Sequence, residues 1–207
     1  MNGTLVRAPL RAGTTPAGGY LVREASPQDA GLIGEFITGL SLHAQYFRFF
    51  TAVAPPGPGL LRVLSDNSRA DLLVVINEDG AVVGHGMAVD AVIDSGTFAD
   101  VGLAIADLWQ GQGLGTLLLN LLMTRAAARG VSRLEFDVLP DNTRMMRIID
   151  RHWPAASRTR TADSVRIRAQ ISAVSAVSAA APAATVPPPA RPFSQQGARH
   201  DARVYAA

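Results

Sequence analysis

The run from Asp100 to Thr116, D-V-G-L-A-I-A-D-L-W-Q-G-Q-G-L-G-T, joins a strand-like alternation to a long apolar helix through three closely spaced glycines. Such a junction is suited to holding an anion. Gly111, Gly113 and Gly115 let the backbone approach a charged oxygen closely. The first amides of the helix lack carbonyl partners, and the helix dipole favours negative charge at that end. The ligand chemistry is that of a phosphate ester. A dinucleotide-type G-x-G-x-x-G turn starting at Gly111 would need glycine at 116, where Thr116 stands. A glycine-rich strand-to-helix turn also serves tight packing alone.

Composition removes several other chemistries. The 207 residues contain no Cys, which excludes disulfides, thiolate metal sites and a cysteine nucleophile. They contain no Lys either; all 19 basic residues are Arg. A Walker-type phosphate loop and a Schiff base to pyridoxal phosphate are therefore excluded. His43 and His152 are single, without metal-ligand spacing, and neither H-E-x-x-H nor G-x-S-x-G occurs, so no metal is expected. His85, between Gly84 and Gly86, reads as a hydrogen-bonded structural histidine, with an acceptor-facing role as the alternative. Net charge is only +2. Arg158, Arg160, Arg166 and Arg168 are the nearest thing to a basic patch, and they alternate like a solvated strand face, so no nucleic-acid partner is expected. No signal-peptide core and no run of about twenty apolar residues occurs, which gives an expectation of a cytoplasmic chain without membrane contact.

The elements that must position the loop follow from periodicity. Residues 1–18 read as a flexible leader and 19–172 as one domain. Residues 173–207 read as a disordered tail, rich in Ala and Pro. Tyr20–Ala25 is a first strand. Ser26-Pro27-Gln28-Asp29 carries a helix-start signature, with a helix running to about Gly39. A second, aromatic-rich helix covers Leu42–Phe50, and Leu60–Leu64 forms a helical turn. Strands are expected at Asp71–Asn77, Ala81–Asp90 and Thr97–Ile105, the first two joined by a hairpin turn at Glu78-Asp79-Gly80. The long helix runs from about Gly113 to Ala128, with Gly130 at its end. Val131–Leu139 is a strand, Pro140-Asp141-Asn142 opens a helix ending near His152, and Ser164–Ile171 is the last strand. This order predicts an α/β fold on a mixed sheet of about six strands.

Gln110-Gly111-Gln112-Gly113-Leu114-Gly115 fits the pattern Q/R-x-x-G-x-G/A, with Trp109 directly before it and Val138-Leu139-Pro140-Asp141-Asn142 downstream. In these features, over about residues 19–172, the chain resembles the GNAT superfamily of acyl-CoA-dependent N-acyltransferases. Leu40-Ser41 followed by Tyr46-x-Arg48-Phe49-Phe50, and the text Ala99-Asp100-Val101-Gly102, look like the corresponding segments of bacterial protein-lysine acetyltransferases. The resemblance implies a mixed, mostly antiparallel sheet of about six to seven strands flanked by about four helices.

It also implies site residues. The amides of Gln112, Gly113, Leu114, Gly115 and Thr116, with Gln110 and Gly111, would hold the pyrophosphate of acetyl-CoA. The backbone of Leu103, Ala104 and Ile105 would pair with the pantetheine arm, an amide near Leu103 would polarise the thioester carbonyl, and Asn142 would bond the arm. Asp100 would be the general base, taking the proton that an incoming ammonium must lose. Its other reading is a solvent-facing or ion-paired strand residue. The subgroup usually carries Glu here. Asp is shorter by one methylene, which favours a bridging water. Many members place a Tyr acid on the last helix, whereas residues 143–153 contain none. The expected activity is acetyl transfer from acetyl-CoA to a primary amine, a protein lysine first, with a homodimer left open. The alternatives are a small-amine acetyltransferase acting on a polyamine, amino acid or aminoglycoside, and a non-catalytic acyl-CoA sensor.

Overall fold

A computed structural model describes residues 12–15, 17–51, 55–68, 70–93 and 96–171. The segment read as a tail, 173–207, and residues 1–11 of the segment read as a leader, 1–18, lie outside the described residues.

The chain order is β1 (Ala12–Thr15), β2 (Gly18–Glu24), α1 (Ala30–Gly39), α2 (Leu42–Phe49), α3 (Pro58–Ser65), β3 (Asp71–Asn77), β4 (Val82–Ile93), β5 (Gly96–Ile105), α4 (Leu114–Ala128), β6 (Arg133–Val138), α5 (Thr143–His152), β7 (Ser157–Arg160) and β8 (Val165–Gln170). The strands form one sheet in the order β1-β2-β3-β4-β5-β6-β8-β7. Among the described residues every pairing is antiparallel except β5 with β6.

The expected elements are present, and the sheet is wider than six or seven strands. β1 falls inside the segment read as a leader. Its sequence, A-G-T-T, has no apolar alternation, and it is held by ladder bonds to β2. β7, S-R-T-R, is exposed at every position, so hydrophobic periodicity could not reveal it. Both are edge strands.

Two apolar layers sandwich the sheet. On one face α4 and α5 pack Leu118, Leu119, Leu122 and Ile149 against Val101, Leu134 and Phe136. On the other, α1 and α3 pack Ile33, Phe36, Ile37 and Leu64 against Leu72, Val74 and Ala104. The helix start at Ser26 forms as its sequence specifies: the Ser26 amide and hydroxyl both donate to Asp29, at 2.8 and 2.9 Å. Arg23 forks onto the same carboxylate and holds its pKa down at about 2. Among the described residues no helix is long and apolar enough to cross a membrane.

Charge ties α4 to the sheet. The buried carboxylate of Asp71 accepts from Arg125 Nε and Arg129 Nη1, both at 2.6 Å, and the two arginines reach on to Glu24 and Asp90. Removing only the central carboxylate takes one of two partners from each arginine, leaving Glu24 to Arg125 and Asp90 to Arg129. We expect Asp71→Ala to lower unfolding stability by about 3 kcal/mol, with the arginines' partial exposure holding the loss to the low end of the range for a broken buried pair. Urea titration at unchanged m-value checks this.

Candidate active site

The sheet forks at the parallel pairing of β5 with β6. β5 and β6 are in register at Phe98/Arg133, Ala99/Leu134 and Asp100/Glu135, and the pairing stops there. β5 continues to Ile105 bonded to β4 alone, leaving its other edge unpaired beside β6. Into the gap opens a cleft of about 620 Å³, walled by β5, β6, α2 and the start of α5. A free strand edge inside a cleft is a place where an extended amide-bearing chain can be bonded.

Asp100 stands at the fork. Leu134, Phe136 and Val138 face the α4 side, so alternation puts Glu135 and Asp137 on the opposite side, with Asp100. Glu135 is matched by Arg133 and Arg168, and Asp137 by Arg166. Asp100 has no ion pair among the described residues and keeps solvent contact through the open cleft. Desolvation by the cleft walls and repulsion from Asp137 raise its pKa above the ordinary carboxylate value, against the pull of Arg48 and Arg166.

Arg48, from α2, lines the cleft and acts electrostatically on this carboxylate. It lies where a side chain on Gly102 would be: a Cβ built there meets Cζ and Nη1 of Arg48 at 2.7 Å. An isolated strand glycine marks such a close approach. The guanidinium stacks 5.1 Å from the Phe49 ring, and its Nη2 is buried without a hydrogen-bond partner. Burial pushes its pKa down to about 10, opposed by Asp100.

The glycine loop closes the far end. Gln110 lines the cleft, and the loop follows it directly. Gly111 and Gly113 have φ of 78° and 86°, the left-handed region that favours glycine, with open space where a Cβ would sit. Gly115 differs: it is inside α4, where a Cβ would make ordinary 3.7 Å contacts with Leu103 and Ile148. Among the described residues the amides of residues 111–116 donate to no acceptor in the chain, which leaves a row of six at the start of α4. The Gln110 amide is not among them, because it donates to the Asp107 carbonyl at 3.3 Å. Its side chain spans the loop instead, donating from Nε2 to the Ile105 carbonyl at 2.8 Å and accepting from Arg144 through Oε1. Gln112 is turned back in the same way, Nε2 donating to the Leu108 carbonyl at 2.8 Å.

Of the residues expected from sequence, Asp100, Leu103, Ala104, Ile105, Gln110 and Asn142 line the cleft, and the loop residues 111–116 stand outside its lining. The Asn142 side-chain Oδ1 caps α5 by accepting from the Met145 amide at 3.1 Å, and the residue lines the cleft. His85 has the structural role: buried, it donates from Nε2 to the Leu64 carbonyl at 2.8 Å, and burial lowers its pKa to about 4, so it is neutral near pH 7. Sequence reasoning gave no site role to Arg48, Gly102, Asp137 or Arg144. Gly102 was the available signal.

These amides and the free strand edge fit a pyrophosphate joined to an amide-bearing arm, the chemistry of coenzyme A. The model of the acetyltransferase (GNAT) family matches residues 40–152, and the chain belongs to that family. Acetyltransferase Pat of Mycolicibacterium smegmatis is 34% identical over 108 residues, 51% of this chain and 32% of that protein, so the match spans about a third of the curated relative. Among solved structures, the GNAT domain of S. lividans PAT superposes with a TM-score of 0.68 at 20% identity, covering 78% of this chain and 96% of that one. A cAMP-binding acyltransferase from Mycobacterium smegmatis gives 0.53 at 25% identity over 80% of this chain and 48% of that one. The yncA protein of Salmonella typhimurium, solved with acetyl-CoA, gives 0.56 at 20% identity, covering 74% and 95%.

Proposed function

We propose that this chain is an N-acetyltransferase that moves the acetyl group of acetyl-CoA to a protein lysine side chain, with Asp100 as general base. The observation that carries the reading is the fork: β5 leaves its partner directly after Asp100, so a carboxylate with raised pKa stands beside an unpaired strand edge that leads to the free amides of residues 111–116. Those amides and the α4 N-terminus would hold the pyrophosphate. Leu103, Ala104 and Ile105 would bond the arm by their backbone, with Asn142 contributing Nδ2. Gln110 would act by holding the loop rather than through its own amide. When bound, acetyl-CoA supplies an activated thioester carbonyl. Asp100, directly or through a water, would take the proton from the incoming ammonium so that the nitrogen can accept the acetyl group in one ternary complex. No tyrosine occurs in α5 to protonate the departing sulfur, and a thiolate is weakly basic enough to leave unaided. A cytoplasmic setting belongs to the same reading.

The lysine acceptor is supported by the Leu40–Phe50 segment, which resembles that of bacterial protein-lysine acetyltransferases. Incubating the chain with labelled acetyl-CoA and a lysate should place label on lysines of other proteins. The chain has no lysine of its own, so self-modified side chains cannot supply the signal. Label found only on small amines would overturn the lysine assignment.

A further inference from the structure

Arg48 is the feature that the reading above leaves without a task. Its Nη2 is buried and unbonded, and no hydrogen bond or ion pair to the side chain exists among the described residues. Bare backbone at Gly102 makes room for it, two residues from Asp100 on the same face of β5. A desolvated cation that is not ion-paired destabilises a fold, so an anion arriving in direct contact with it gains more than one meeting a solvated arginine. Of the titratable groups around it, Asp100 faces it from β5, and His85, from β4, is neutral near pH 7. Asp100 repels a second anion, which restricts an incoming one to direct contact with the guanidinium.

Resting on the coenzyme A assignment and not on the acetyl-to-lysine pairing, which it would displace as the preferred one, we propose that the cleft contains a carboxylate-binding subsite at Arg48, which favours substrates bearing a carboxylate a few bonds from the reacting centre. That carboxylate has two sources: the end of a short dicarboxylic acyl chain on the thioester, or the α-carboxylate of an amine acceptor. The guanidinium offers a planar fork of donors that matches either.

Two arms separate them. In the first, acetyl-CoA and succinyl-CoA are compared by kcat/KM and by calorimetric binding. In the second, a free amino acid is compared with its amide as acceptor. A charged hydrogen bond of this type gives about a tenfold preference or more for the carboxylated member of one pair. Arg48→Gln should collapse that preference to within about twofold, and Arg48→Lys should restore part of it. No preference in either arm of the wild-type chain, or a preference that survives Arg48→Gln, overturns the subsite. Binding of free CoA is measured alongside: its absence in the folded wild-type chain overturns the coenzyme reading itself, whereas its presence without selectivity overturns only the subsite. Because the wild-type comparison needs no mutation, poor folding of a variant cannot rescue the proposal.

Discussion

Asp100→Asn is expected to cut turnover by about 10²–10⁴-fold, the usual contribution of a general base, while acetyl-CoA affinity stays within about twofold. The two effects separate because the side chain stands at the fork, whereas the anion-holding amides lie beyond Ile105 at residues 111–116. The pH profile carries the second signature. A base works deprotonated, so activity rises with pH through its pKa, and desolvation and Asp137 place that limb above the ordinary value of about 4. Stability should move the other way. A carboxyl whose folded pKa is raised makes a stability contribution that is lost as pH rises through that pKa, so the neutral amide should melt higher than wild type near pH 7. A variant that is better folded, binds the thioester and does not turn over assigns the residue to chemistry. Unchanged kcat in Asp100→Asn would remove the base assignment. Asp100→Glu, which reaches further by one methylene, should retain much of the rate.

How far the sequence reached depended on whether a feature lay in local pattern or in assembly. The Ser26 capping signature, the unbroken apolar run of β3 and the glycine-to-helix junction are local, and each forms where the pattern put it. β1 and β7 are specified only by a neighbour's hydrogen bonds, and short polar edge strands leave no periodic signal. The site divides in the same way. Asp100 and the loop share one stretch of seventeen residues and were legible together, but the partnership of Arg48 with Gly102 joins positions 54 apart in sequence and exists only once α2 lies on β5. Gln110 shows a different limit. Its residue type belongs to the motif, yet whether it offers an amide or a side chain depends on the turn at Asp107–Trp109, which takes up the amide.

The glycines of the loop are also not equivalent, and mutating them one at a time should show it. Gly113→Glu is expected to weaken acetyl-CoA and free CoA binding by about 100-fold or more. It places a carboxylate at the N-terminus of α4, where the phosphates would bond to amides, and each charged hydrogen bond lost is worth about 1.5–3 kcal/mol. Part of any effect comes from the backbone, since φ of 86° costs an L-residue about 1–2 kcal/mol. Gly113→Ala measures that part alone and should lose stability with a much smaller loss of affinity. Gly115→Ala should behave oppositely. Its Cβ points at Leu103 and Ile148 with ordinary contact distances, and replacing a helical glycine gains about 0.5–1 kcal/mol, so the chain should be more stable and still bind within about twofold. The contrast between Gly113→Glu and Gly115→Ala isolates the free amides as the binding element. Equal loss at both positions would mean that the loop matters for packing and not for an anion. Full retention at Gly113→Glu would move the phosphates away from these amides while leaving the cofactor itself in place.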